Sequence, residues 1–341
     1  MTRVCIEKHG GPEVLNFDQA PVPEPGPGEV IVKLQTMALN HLDLWVRRGV
    51  DGHRFPLPLI PGCDGAGIVC ELGKDVDSEW LNREVLLSPG FSCRECTHCQ
   101  TDRDPLCRQY GILGETCDGT CAEYVKVRVH QCMPKPESAS WQEAAAFPLS
   151  TLTSASMLEK ACLAPHETLL VIAGTSGVGS MAIQIAKLQG CRVIATGSTE
   201  KKRLAARQLG ADHVIDPNQE NWWKEVKSLT AGAGADVIFE NVGKATWSQS
   251  LLALAVGGRL TTCGATTGSQ VPVELKRLFF KNQQIIGSTM GSRILLESLL
   301  EPLSARKLVP LIDSVYPFRE LTDAHERMES RQSMGKVVLQ F

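Results

Sequence analysis

No stretch of the sequence approaches the roughly 20 consecutive apolar residues that a membrane-spanning helix needs, so no membrane partner is expected. Neither sign of charge is in large excess. Lys and Arg number 35 against 38 Asp and Glu, a formal net charge of -3, which offers no polycationic surface to a phosphate backbone and argues against nucleic acid as a partner. The opening segment, MTRVCIEKHGG, carries charges where the apolar core of a signal peptide would lie, and a cytoplasmic protein is the expectation. Long internal repeats and low-complexity tracts are also missing. Thirteen cysteines are present, but without an export signal they read as thiols or metal ligands rather than disulfides, so their spacing carries the information. With 43% hydrophobic and 21% charged residues over 341 positions, the chain has the composition of a globular enzyme and the length for two cores.

The order of local patterns supports that division. Residues 21–28, PVPEPGPG, cannot continue a helix or a central strand. They lead into Glu29 to Gln35, where Val30, Val32 and Leu34 alternate with Ile31, Lys33 and Gln35 as in a strand. Further short β-like runs, Gly67 to Leu72, Val85 to Leu87 and Glu123 to Val127, follow between Gly and Pro clusters. From Thr168 onward the texture changes to strand-length apolar runs separated by helical patterns, which predicts a parallel sheet wrapped by helices. Six runs qualify: Leu169 to Ala173, Arg192 to Thr196, Val214 to Ile215, Asp236 to Phe239, Arg259 to Cys263 and Gln284 to Ile286. Between the first two, Val178, Met181, Ala182, Ile185 and Leu188 recur at helical steps and give one apolar face. The alternation ends near residue 290, and Lys336 to Phe341 again looks like a strand, so the tail is expected to complete the first domain. The expectation is an α/β protein with a β-rich domain over 1–147 and 288–341, and a doubly wound, six-stranded parallel sheet over 148–287.

The turn after the first of those six strands reads Gly174, Thr175, Ser176, Gly177, Val178, Gly179, Ser180. Glycines there let backbone bend tightly and approach a pyrophosphate, while the following helix presents free N–H groups to it. A glycine-rich turn alone signals little; its place in a strand-turn-helix unit makes the signal specific for a dinucleotide. The second strand ends in Thr196, Gly197 and Ser198, without the acid that would hold a ribose 2′-hydroxyl. Lys201 and Lys202 follow within reach of a 2′-phosphate, although lysines at a helix start can equally be solvated. Missing acid and nearby bases favour NADPH.

Cys93, Cys96, Cys99 and Cys107 are separated by two, two and seven residues. Four thiolates so placed can enclose one tetrahedral zinc, and a closed sulfur shell leaves no open position, so such an ion would be structural. An iron–sulfur cluster also takes four cysteines but fits this order less well, and unligated thiols are the remaining alternative. His98, between the ligands, reads as a solvated neighbour.

Taken together, GPGEV at the first strand, NHLD at Asn40 to Asp43, PGCDGAG at Pro61 to Gly67, the cysteine lobe, DGTCAEY at Asp118 to Tyr124 and GTSGVG at Gly174 to Gly179 resemble the zinc-type alcohol dehydrogenases of the medium-chain dehydrogenase/reductase superfamily, and more closely their quinone-oxidoreductase-like relatives. The resemblance spans essentially the whole chain. It implies a GroES-like catalytic domain plus a Rossmann domain, assembled as homodimers or homotetramers, and it puts the nicotinamide against backbone at Cys263, Gly264 and Ala265 and at Ser288 to Met290.

The resemblance also shows what this chain lacks. Where the family pattern holds a catalytic zinc with a cysteine, a histidine and a cysteine or acid, the sequence has Asn40, Cys63 and Leu149; the proton-relay Ser or Thr is Leu42. Cys63 with Asp64 could still catch a metal, but a catalytic zinc wants three protein ligands and an open position. Without it, simple carbonyl reduction loses its Lewis acid. Quinones and conjugated enones spread the incoming charge over themselves and can be served by hydrogen-bond donors. Asn40 is the expected amide donor to the acceptor oxygen, or else a loop residue bonded to backbone. Asp43 resembles an orienting acid of the family, Cys121 replaces a pocket-lining aromatic, and Tyr110 is either a proton donor or a packed ring. The leading expectation is an NADPH-dependent reductase of a quinone or α,β-unsaturated carbonyl with one structural zinc. A zinc-dependent alcohol dehydrogenase using ligands such as Cys63 and Asp64, and a non-catalytic NADPH-binding sensor, are the alternatives.

Overall fold

The computed structural model describes residues 1–341, which fall into two compact units, residues 1–150 with 292–341 and residues 151–291. In the first unit a seven-stranded sheet runs in the spatial order Ile312–Pro317, Lys336–Gln340, Glu29–Ala38, Asp64–Leu72, Glu84–Leu87 and Cys132–Pro134, with Tyr124–Arg128 also paired to Glu29–Ala38. The C-terminal strand joins it antiparallel, Val338 opposite Ala38, as the return of apolar alternation at Lys336 predicts. Glu29–Ala38 serves two cores, one through Val30, Val32 and Leu34 and the other through Met37, with Leu39 beyond its end. Ile31, expected on a mixed face, is fully buried. Gly67 is required where two strands cross closely: a Cβ there would lie 2.2 Å from the Lys33 carbonyl oxygen.

In the second unit six parallel strands lie in the order His213–Ile215, Arg192–Thr196, Thr168–Val171, Ala235–Glu240, Leu254–Thr262 and Gln284–Gly287. The strand order reverses beside Thr168–Val171, the first of the six in sequence, and that switch point is where sheets of this kind bind nucleotides. Helix Gly177–Leu188 buries Met181, Ala182 and Ile185, each apolar side chain of that size worth roughly 1.5–3 kcal/mol for Met and Ile. Helix Pro148–Lys160 is buried all round from Thr151 to Leu158, with only Glu159 and Lys160 at its end exposed, which is why no apolar stripe announces it. No helix is long and apolar enough to cross a membrane.

Candidate functional site

The glycine turn sits at the C-terminal end of Thr168–Val171. Ser176 caps helix Gly177–Leu188 by accepting the Gly179 N–H at 3.0 Å, which leaves the first-turn amides pointing off the helix end. A Cβ at Gly179 would stand 2.3 Å from the Ala173 carbonyl oxygen, and one at Gly174 would stand 2.8 Å from the Ala195 side chain. Side chains are therefore excluded at Gly174 and Gly179, the turn stays thin ahead of the Gly177 and Val178 amides, and the residues fit a dinucleotide. Two residues not singled out from the sequence hold this region. Glu240, fully buried, accepts from the Val242 and Gly243 amides and from the Thr246 and Ser250 hydroxyls, and Asn241 donates to the Ile172 carbonyl at 3.2 Å and to Ser176 Oγ at 3.5 Å. A buried acid at a strand end was readable as a residue type, but its four donors are set by the fold.

Beyond Arg192–Thr196, Thr199 caps helix Glu200–Gln208 by accepting the Lys202 N–H. Ser198 gives its carbonyl to Asn218 at 2.9 Å, while Lys201 and Lys202 lie in the first turn of that helix. At the C-terminal ends of the last two strands, the segments Cys263–Ala265 and Ser288–Met290 lie together, the Ser288 N–H donating to the Thr262 carbonyl at 2.9 Å. Lys160 donates to Ser288 Oγ at 3.1 Å and Ser156 to the Met290 carbonyl at 3.2 Å. Val178 and Thr175 complete the same turn as Gly177.

The four cysteines converge. All their sulfurs lie within 4.8 Å of one another, with Cys93–Cys99 at 3.8 Å, Cys96–Cys99 at 3.5 Å and Cys93–Cys107 at 3.5 Å. Four sulfurs at about 2.3 Å from one zinc would sit about 3.8 Å apart, so the donor set and its dimensions fit. The Cys96 and Gln109 amides point at the sulfurs of Cys93 and Cys107, the kind of contact that supports bound thiolates.

A different arrangement occupies the first unit near Asn40. The residue caps helix His41–Arg48, and its N–H donates to Asp43 Oδ2 at 2.6 Å. The other oxygen of Asp43 accepts the Gly62 N–H at 3.1 Å and the Cys63 thiol at 3.5 Å. Burial pushes the Asp43 pKa up to about 6 against the pull of the Asn40 amide and of Lys336, and burial with Asp43 and Asp64 pushes the Cys63 thiol well above its ordinary range. The feature missed from the sequence is Lys336. Its ammonium donates to Asn40 Oδ1 at 2.5 Å and to Asp64 Oδ2 at 2.8 Å, in a network whose members are 0–7% exposed. The Asn40 amide nitrogen donates to Asp64 Oδ2 at 2.9 Å and, more weakly, to the Ala38 carbonyl at 3.4 Å; the Leu149 N–H takes Asp64 Oδ1 at 3.0 Å. An ammonium thus holds the residue at the first ligand position and the acid beside the second, while Leu149 offers no donor. This set does not fit a divalent ion with an open coordination position.

Tyr110 is half-buried, its hydroxyl sealed and unpartnered against Gly90, and desolvation pushes its pKa up, which describes a packed ring. Cys121 is fully buried beside Pro61.

Residues 26–137 match the model of the alcohol dehydrogenase GroES-like domain, and residues 177–305 that of zinc-binding dehydrogenases. A zinc-type alcohol dehydrogenase-like protein of Schizosaccharomyces pombe is 30% identical over 96% of this chain and 97% of its own length. A crotonyl-CoA carboxylase/reductase of Cereibacter sphaeroides is 28% identical over 96% of this chain and 83% of its own. A crystal structure of an NAD-dependent alcohol dehydrogenase superposes with a TM-score of 0.96 at 42% identity, over the full length of both chains.

Proposed function

Because the chain belongs to the zinc-type alcohol dehydrogenase family of medium-chain oxidoreductases, we propose that it is an NADPH-dependent reductase of quinones or α,β-unsaturated carbonyls, with one structural zinc and no catalytic one. The observation that carries this reading is the Lys336–Asn40–Asp64 network, which gives the residue aligned with the family's first metal ligand an internal ammonium as its partner and supports a site without a catalytic ion. A bound nicotinamide dinucleotide supplies a hydride. The chain's own residues bind and orient: the Gly177 and Val178 amides take the pyrophosphate, with Gly179 letting the backbone pack closely behind them, Ser198, Lys201 and Lys202 the 2′-phosphate, and the Cys263 to Ala265 and Ser288 to Met290 segments flank the ring. Asn40, with its oxygen bound to an ammonium, is a polarised amide donor, and an acceptor oxygen would compete for the amide hydrogen now spent on the Ala38 carbonyl, 3.4 Å from the nitrogen. Asp43 fixes the loop around Asn40 and Cys63 rather than moving protons. Cys93, Cys96, Cys99 and Cys107 would hold the zinc that ties their lobe together.

A relative named for a crotonyl thioester, itself α,β-unsaturated, supports a conjugated acceptor. The likeness to the NAD-dependent alcohol dehydrogenase structure favours a second reading, oxidation of an alcohol with NAD and a second zinc. Elemental analysis decides: one zinc per chain supports the reductase, and two support the dehydrogenase. Self-association is part of the proposal, since Val256, Leu275, Phe279 and Phe280 are exposed on the second unit, whose edge strand Gln284–Gly287 has one open side.

A further inference from the structure

The acid absent from the end of the second Rossmann strand is present one strand away. Asp216 follows His213–Ile215, the strand paired to Arg192–Thr196, and its carboxylate faces the loop 197–199. There it meets Arg203, whose Nη1 donates to Asp216 Oδ2 and to the Gly197 carbonyl, each at 3.0 Å. Asp216 Oδ1 accepts the Asn218 N–H at 3.0 Å, and the Asn218 side chain returns to the Ser198 carbonyl, so both ends of the pair are fixed to the same loop. The contact is tight, since a Cβ at Gly197 would lie 2.9 Å from Arg203 Cγ. Nη1 is the only side-chain nitrogen of Arg203 with a protein partner, and the side chain keeps 29% exposure. Its Nε and Nη2 groups are left to donate elsewhere.

We propose that the Arg203–Asp216 ion pair sets the choice between the two nicotinamide dinucleotides, Arg203 cancelling an acid that would otherwise repel a 2′-phosphate and offering that phosphate its remaining N–H edge. The inference rests on the NADPH reading for its direction. A bare carboxylate beside the ribose favours the unphosphorylated cofactor by accepting from its 2′-hydroxyl, whereas a planar guanidinium favours a phosphate. One ion pair therefore carries both preferences, and the balance depends on which partner is left charged.

Calorimetric titration of the full chain with NADPH and with NADH, needing no turnover, tests this in Arg203→Gln and Asp216→Asn. Loss of a charge-assisted contact corresponds to about tenfold or more in affinity. Arg203→Gln is expected to raise the Kd for NADPH by about tenfold or more while that for NADH moves by less than about threefold. Asp216→Asn, which keeps the shape and removes the acid, is expected to shift the ratio of the two constants the opposite way, towards NADPH. Parallel weakening of both cofactors in Arg203→Gln, or a shift towards NADH in Asp216→Asn, overturns the proposal. A wild-type protein that prefers NADH refutes the NADPH reading itself, and the two variants still report whether this pair controls the choice.

Discussion

Replacing Lys336 by Met strips the positive charge from a network that is closed to water. The side chains of Lys336 and Asp64 are 4% and 0% exposed, and the ammonium also donates to Asn40 Oδ1. Breaking a buried pair from one side costs about 3–5 kcal/mol, because the charge left behind stays desolvated. Asp64 retains the Asn40 and Leu149 N–H groups, which places the expected cost near the lower end, about 3 kcal/mol. In a unit of 200 residues that corresponds to a fall in melting temperature of roughly 6–12 °C. Adding Asp64→Asn to Lys336→Met removes the orphaned charge and should recover about 2 kcal/mol of the loss. Urea denaturation of the wild type, both single variants and the double variant measures all four corners. A cost below about 1 kcal/mol for Lys336→Met, or a double variant no more stable than that single one, would refute the reasoning.

Further outcomes are expected elsewhere in the molecule. Asp43, held at about 6 by burial, favours the fold in its protonated form, so its contribution improves as pH drops from about 6 towards its ordinary 3.8; the wild type minus Asp43→Asn difference in stability should show that slope, and a flat difference would contradict it. Cys107→Ser should lower zinc content from one per chain towards none and open residues 90–110 to proteolysis, with dinucleotide affinity in the other unit changed less than about twofold. Gly179→Ala forces a Cβ to within 2.3 Å of the Ala173 oxygen, and calorimetry should show dinucleotide affinity reduced by about tenfold or more. Phe279→Glu with Phe280→Glu should shift sedimentation towards a smaller species, by placing charge on a face that self-association would bury.

What could be read directly from the sequence was local. The glycine turn and the cysteine lobe are chemistry within a few residues, and their spacing carries over into the folded geometry. The parallel strands were legible as apolar runs, although Leu254–Thr262 begins five residues before the expected Arg259, because Ala235 pairs with Leu254 across Gly257 and Gly258 and a register shift. Two-residue strands such as Gly90–Phe91 leave no periodicity to detect. The decisive contacts are long-range. Lys336 reaches Asn40 across 296 positions, and in the sequence it is merely the first residue of a strand. Arg203 looks like one more base after Lys201 and Lys202, and its pairing with Asp216 requires two neighbouring strands in register. Asn40 was legible as an amide in the right place, but which atoms face its two ends is decided by Asp64 and Lys336.

The proposed absence of a metal at the reacting oxygen is most directly tested by zinc content and zinc-edge X-ray absorption on the protein mixed with an enone and NADPH. One zinc per chain, coordinated by four sulfurs at about 2.3 Å, is the predicted result. A second equivalent with nitrogen or oxygen ligands, whose removal abolishes turnover, would contradict it.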